Sequence, residues 1–207
     1  MSETNIADIL WPDADGDLAL QTCATTLHRL RKLLGYHEAI LLQNGTLMIN
    51  TSVCWIDARV FEKLMDKADA LWVEARNEAQ RMEACELTCR ALDLYQGAFL
   101  AGESWNTDAI SVNERLHNRY FKGLYKLGDH LVLNNQLKKA QGFFEHGLQI
   151  DDCAEECYRR LMVCLQRLGQ RAEALKVFER CRRTLQARLG AEPSPDTVAL
   201  YRSLQAH

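Results

Sequence analysis

Six side chains between residues 22 and 32 have the chemistry to read a polyanion. Thr22, Thr25, Thr26, His28, Arg29 and Lys32 share one short stretch rich in helix formers. A guanidinium such as Arg29 can bond a guanine edge through two parallel hydrogen bonds, for about 1–3 kcal/mol of discrimination. Lys32 suits a phosphate, and the threonines can touch phosphates or a thymine methyl. Asn44, some twelve residues on, could approach the neighbouring backbone. Other chemistry is thinly represented. Cys85/Cys89 and Cys153/Cys157 have the i, i+4 spacing by which two helical thiolates could share a metal. A zinc centre would need all four to converge, and neither pair has ribbon or finger spacing, so no metal and no cofactor is expected. "GAFLAGES" lacks the Lys-Ser/Thr ending of a phosphate-binding loop. No Gly-x-Ser-x-Gly elbow or metal-binding histidine pair occurs, and the six histidines are scattered. Cys153 or Cys164 could join a histidine as a nucleophile, but inert buried thiols are the simpler expectation. The chain does not read as an enzyme. Trp105, beside "AGES", is a candidate groove-lining residue.

The elements that position the basic cluster follow from caps and periodicity. Ser2 can cap a helix from Glu3 to Leu10, which Pro12 stops. "DADGD" is a polar turn, Asp17 can cap a helix from Leu18 to Leu34, and Gly35 can end it in the left-handed region. Leu20, Ala24, Leu27, Leu30 and Leu34 form the expected buried stripe, with Gln21, Thr22, Thr25, His28, Arg29 and Lys32 outside it. In "AILLQNGTLMIN", Ile40 and Leu42 alternate before Asn44-Gly45, and Leu47 and Ile49 after it, which predicts a two-residue hairpin. "SVCWID" should continue extended. Two helices followed by a hairpin outline a winged helix, whose second helix would enter a major groove. Arg31 is ambiguous as a contact, because it flanks the buried stripe and can pair with an acid instead.

The remainder reads as helix: Ala58 to Asn77, Cys85 to Tyr95, Thr107 to Asn134, Lys138 to Ile150, Ala154 to Leu168, Arg171 to Leu189 and Pro195 to Gln205. Gln96 to Ser104 is the longest irregular connection. Leu124, Leu127, Leu131, Ala140 and Phe144 recur 34 residues later as Tyr158, Leu161, Leu165, Ala174 and Phe178, which is the tetratricopeptide period. The alanines mark where paired helices pack closest. Two repeats are too few for a stable stack, so helices before Thr107 and after Ala191 must cap them. Trp55 and Phe61 are expected to lock the hairpin to the first long helix, and Trp72 and Tyr95 to be core. Asp196 should sit in the first turn of the last helix, where its charge suits the dipole.

Bulk properties set the limits. The chain has 207 residues and a net charge of −3, enough for one large or two small domains without disulfide staples. Its eight cysteines, with no secretory signal, are expected to be reduced. No apolar run approaches the roughly 20 residues that span a bilayer. A cytoplasmic location and no membrane partner are therefore expected. Residues 1–57 hold three bases against seven acids, whereas residues 158–188 hold nine bases against two acids. The basic character is local, and net charge alone gives no support to a nucleic-acid partner.

The order of several segments is specific. "ILWPDADGD", "LHRLRKLLG", "AILLQNGTLMIN" and "CWIDARVFE" resemble the winged-helix region of bacterial transcriptional activators of the Streptomyces antibiotic regulatory type. "ALDLYQGAFLAGE", "YRRLMVCLQRLGQRAEALKVFERCRRTL" and "LGAEPSPDTVALYRSL" resemble the bacterial transcriptional activator domain of the same proteins. The resemblance covers nearly the whole chain. It implies a mainly α fold: a truncated winged helix of two helices plus a β-hairpin wing over residues 1–57, then a tetratricopeptide-like helical repeat domain over 58–207. The implied function is transcriptional activation, by this chain or as the C-terminal fragment of a larger ATP-dependent regulator. The implied partners are promoter DNA, RNA polymerase or another protein, and a possible second copy. The family's winged helix begins with a small sheet and one more helix ahead of the "LWPD" helix, whereas this chain starts inside the motif. Leu10, Trp11, Leu27 and Leu30 are therefore expected to be partly exposed, or covered by a second chain or by the helical domain. The competing reading is a protein-interaction module that does not bind DNA.

Overall fold

The computed structural model describes residues 1–98 and 107–206. They divide into two compact units, Met1–Ile56 and Asp57–His207. Among the described residues no helix is long and apolar enough to cross a membrane.

In the first unit, α1 (Glu3–Leu10) starts where the Ser2 hydroxyl accepts the Asn5 N–H at 3.1 Å. The next helix, α2 (Gly16–Leu34), is capped by Asp15 and not by Asp17, which lies in its first turn. Gly35, at φ 72°, closes it in the left-handed conformation. A 3₁₀ turn (His37–Ala39) leads into β1 (Ile40–Gln43), which pairs antiparallel with β2 (Thr46–Ile49) from Ile40↔Ile49 to Gln43↔Thr46. Asn44 and Gly45, at φ 50° and 69°, supply the two positive φ values of a type I′ hairpin. Met1 and Ser2 extend the ribbon on its β2 side: Leu47 N–H donates to the Met1 carbonyl at 2.9 Å and Glu3 N–H to the Gly45 carbonyl at 2.8 Å. "SVCWID" is not extended throughout, because the Asn50 carbonyl accepts from Val53 and Cys54 and turns the chain.

The buried stripe of α2 differs from the leucine pattern. Ala19, Cys23 and Leu27 are buried, Leu20 is half-buried, and Ala24, Leu30 and Leu34 are exposed. The small side chains decide the phase, since Ala19 and Cys23 cluster with Ala7 of α1. A leucine at the contact would push the helices apart. Leu27 is thus covered, while Leu10 is 57% and Leu30 41% exposed, and Trp11 is half-buried. Trp55, expected to be packed, is 70% exposed, and Phe61 is buried within the helical unit's own core.

The second unit runs α3 (Asp57–Glu74), α4 (Glu78–Leu94), α5 (Thr107–Leu133), α6 (Leu137–Ile150), α7 (Glu155–Arg167), α8 (Arg171–Leu189) and α9 (Pro195–Ala206). The start of α4 lies seven residues ahead of the expected Cys85. Asn77 Oδ1 accepts from Gln80 N–H at 2.9 Å, and Gln80 Oε1 reaches back to Arg76 N–H at 2.8 Å. This reciprocal pair, a variant of the capping box, ends α3 and starts α4 without glycine or proline. The connection from its fourth residue to Ser104, and Trp105, lie outside the described residues.

Consecutive helices pack as antiparallel hairpins, and the 34-residue equivalences hold in space. Leu124, Leu127, Leu131, Ala140 and Phe144 are buried, as are Tyr158, Leu161, Leu165, Ala174 and Phe178. Gly128 lies under the Phe144 ring, where an added Cβ would come within 2.2 Å of Cζ. On one side of this stack α3 and α4 form a third helical pair, with Met65 against Gly123. Trp72 is half-buried and donates to the buried Thr88 hydroxyl at 3.0 Å, and Tyr95 stacks on Tyr120. On the other side α9 closes the stack, its Tyr201 ring 3.9 Å from that of Phe178. Asp196 sits in the first turn of α9, as expected.

Candidate nucleic-acid interface

The outer face of α2 carries most of the expected contact residues. Thr25, His28, Arg29 and Lys32 are exposed, and among the described residues neither Arg29 nor Lys32 makes an ion pair. Both cations are therefore available to phosphate or base edges. Thr22 is half-buried, and its hydroxyl donates to the Leu18 carbonyl at 2.8 Å; Thr25 donates to the Gln21 carbonyl at 2.9 Å. In this state each proton is committed to the helix, so a phosphate oxygen would have to compete for it. Asn44 is exposed at the hairpin tip.

Two residues do something the sequence did not signal. Thr26 is exposed and neighbours Arg29 one turn on, but with Cys23 and Leu30, also at helical spacing, it lines an apolar groove. Arg31 does not pair with an acid. Its Nε and one terminal nitrogen donate to the Ile40 carbonyl at 3.0 and 2.7 Å. The fork pins the C-terminal half of α2 to the first residue of the hairpin, which sets the angle between helix and wing.

The groove lies between the end of α1, α2 and the hairpin. Its walls are Ile6, Leu10 and Trp11, then Cys23, Thr26, Leu27 and Leu30, then Ile40, Leu47, Met48 and Ile49, around about 280 Å³. Sequence reasoning found its exposed leucines but not its hairpin wall, because strand alternation assigns Met48 and Ile49 to opposite faces. Burial, then the charge of Glu3, pushes the Cys23 thiol above its ordinary pKa.

The basic segment of the second unit behaves differently. Arg159 and Arg160 pair with Glu156, and Arg160 also pairs with Asp129 while lying over the Tyr125 ring. Arg167 donates to the Val132 carbonyl, and Arg171 to the Leu204 and Gln205 carbonyls, satisfying the ends of α5 and α9. Lys176 pairs with Glu173, Arg182 with Glu179 and Arg188 with Asp152. Arg180 lies over the Tyr158 ring and Arg183 bonds the Glu179 carbonyl. All nine bases are engaged within the unit, so an acidic partner is not needed to explain them. The thiols are equally committed. Burial pushes Cys164 up to about 11 and Cys157 to about 12, and Cys153 is raised as well, the reverse of what a nucleophile needs. Among the described residues three potential metal ligands come together at Asp151, Asp152 and Cys153, not at the four paired cysteines. There His117 and the Cys153 N–H hold Asp151, and Arg188 holds Asp152.

A family model described as the bacterial transcriptional activator domain matches residues 56–205. The regulatory protein AfsR of Streptomyces griseus is 26% identical over 212 residues, covering 96% of this chain and 20% of that protein. Its namesake in Streptomyces coelicolor is 29% identical over 209 residues, covering 97% of this chain and again 20% of the relative. The chain thus spans about a fifth of the length of these relatives. Among solved structures, Mycobacterium tuberculosis EmbR in complex with a low-affinity phosphopeptide matches 100% of this chain and 55% of its own, with a TM-score of 0.70 at 15% identity, a likeness of fold.

Proposed function

Because the chain belongs to the bacterial transcriptional activator domain family, we propose that it regulates transcription in the cytoplasm by placing α2 and the hairpin tip on promoter DNA while the helical unit docks a protein partner such as RNA polymerase. The observation that carries this reading is the exposed, unpaired Arg29 and Lys32 beside Thr25 and His28 on one helix face, with Asn44 at the tip of the adjoining ribbon. Arg29 is assigned to a base edge and Lys32 to a phosphate. Thr22, Thr25 and Asn44 would add backbone contacts, and Thr26 contributes least because it faces the groove.

The test is a fluorescence-anisotropy titration of the chain against promoter fragments at several salt concentrations. Binding should weaken with salt, with a log–log slope of about −0.9 per neutralised phosphate. Arg29→Ala should weaken binding by roughly 1–3 kcal/mol and relax preference at one base pair. Salt-independent binding, or binding indifferent to Arg29→Ala, would reject the assignment.

The alternative reading, a protein-interaction module without DNA contact, is favoured by one observation. The first unit has a buried cluster of only Ala7, Ala19 and Cys23 and leaves an apolar groove open. No binding to any genomic fragment, with the fold intact, would select it.

A further inference from the structure

Of the three bases on α2, Arg29 and Lys32 are exposed and Arg31 is committed to the hairpin. Arg31 is half-buried, and its Nε and one terminal nitrogen donate to the Ile40 carbonyl at 3.0 and 2.7 Å. The direction of that carbonyl explains the bond. Asn50 N–H donates to the Ala39 carbonyl at 2.8 Å, inside the ribbon. Successive carbonyls of a strand point to opposite sides, so that of Ile40 faces the open edge of β1. Among the described residues these two bonds are the only hydrogen bonds between α2 and the hairpin. The other edge is held elsewhere: Leu47 N–H donates to the Met1 carbonyl and Glu3 N–H to the Gly45 carbonyl, which ties β2 and the turn to the start of α1. Of these ties, only the Arg31 fork reaches the helix that carries Arg29 and Lys32. Two nitrogens of a planar group on one oxygen fix direction as well as distance. Asn44 lies four residues beyond Ile40, about 13 Å at roughly 3.3 Å per strand residue, so a small tilt at the joint is enlarged at the tip.

We propose, resting on the DNA reading above, that Arg31 is a positioning residue: it holds the outer face of α2 and the hairpin tip in the one arrangement that lets both touch the same duplex. A second contact on a surface already bound acts at high effective concentration only while the joint between the two is stiff. With the joint loose, Asn44 must be ordered anew on the DNA, and its contact adds little. Arg31 itself takes no phosphate, because its guanidinium is turned to the hairpin. Its loss therefore weakens binding without lowering the number of phosphates neutralised, the opposite of what is expected of Lys32.

The experiment uses the full chain and a duplex that it enriches from a randomised-sequence library, with anisotropy titrations across a salt series. Arg31→Ala and Asn44→Gly should each weaken binding about three- to tenfold. Glycine at position 44 keeps the left-handed turn that Asn44 adopts. The double variant should bind no worse than Arg31→Ala alone, because the tip has already lost its place. The salt slope should match the wild type in all three. Arg31→Lys keeps the charge but not the planar fork, and should also lose affinity and make Asn44→Gly silent. Losses that multiply in the double variant overturn the proposal. So does a slope reduced by about one in Arg31→Ala, or full binding by Arg31→Lys, either of which makes Arg31 a phosphate contact. Binding that responds to Arg29→Ala while Arg31 and Asn44 act independently refutes the positioning role alone. No enriched duplex, or indifference to Arg29→Ala, removes the DNA reading and the positioning role together. If Arg31→Ala fails to fold by circular dichroism, the cycle runs on Arg31→Lys; unfolding of both makes Arg31 a stability residue and overturns the proposal.

Discussion

The two units use the same side-chain chemistry to opposite ends. In the helical unit Tyr120, Tyr158, Phe61 and Phe144 are essentially sealed, and nine bases in a 31-residue segment are engaged by carboxylates, carbonyls or aromatic rings. In the first unit the buried cluster is Ala7, Ala19 and Cys23, and two of three bases point to solvent without an acid. Charge density along the chain therefore misdirects. The strongest basic run belongs to the scaffold, and the sparse one, set in an acidic segment, is the surface left free. A cation's significance depends on whether its own unit has already provided a partner.

The largest test of this contrast is in the core. Phe144 fills the space above Gly128 and is fully buried. Phe144→Ala should cost about 3–5 kcal/mol through lost burial and a residual cavity, lowering the melting temperature by about 10 °C for a unit of this size. Leu30→Ala in the first unit removes a large side chain that is already 41% exposed, and should cost well under half as much. Equal losses in thermal melts would remove the distinction between a filled core and an open one.

How much of this could be read from residues alone depended on which signals are local. The 34-residue recurrence, Asn44-Gly45 and the caps at Ser2 and Gly35 are local, and they placed the stack, the hairpin and both early helices correctly. The phase of α2 was not local. Leucine periodicity suggested Leu20, Ala24 and Leu30 as the buried side, yet contact with Ala7 selected Ala19 and Cys23. Thr26 lies at the border of the two faces, exposed one turn before Arg29 and also lining the groove. The start of α4 was legible in Asn77-x-x-Gln80 but was obscured by the absence of glycine or proline. Arg31 looked like half of an ion pair, and only the hairpin's position shows its acceptor to be the Ile40 carbonyl.

A middle-sized test concerns the clasp that fixes α9. Glu155 at the start of α7 accepts from the Ser194 N–H at 2.8 Å, from its hydroxyl at 2.6 Å and from the Thr197 hydroxyl, with Arg159 alongside. Burial raises the carboxyl's pKa, but the three donors and Arg159 together outweigh it, leaving the group below its usual range. The unfolded chain therefore binds the proton more readily. The clasp's contribution is full above the unfolded carboxyl pKa and is lost as pH falls through the lower folded value. Glu155→Gln should cost about 1.5–3 kcal/mol at neutral pH, the range for charged hydrogen bonds. The difference between variant and wild type should shrink in melts taken below about pH 4, near the unfolded value. A pH-independent difference would mean that the contact works by shape alone.

The smallest expected effects separate scaffold charges from free ones most directly. Arg182 is about half exposed and pairs with Glu179 one turn away. Such a pair is screened by water, so Arg182→Ala should change stability by no more than about 0.5 kcal/mol. If the helical unit takes no part in holding the duplex, the same substitution should also leave promoter affinity and its salt slope unchanged. Lys32→Ala should likewise leave stability unchanged, since Lys32 has no partner to lose. Its effect should appear only in the titration: a nearly uniform loss across DNA sequences, with the salt slope reduced by about one. If Arg182→Ala altered the slope and Lys32→Ala did not, the free surface would have to be reassigned from α2 to the helical stack.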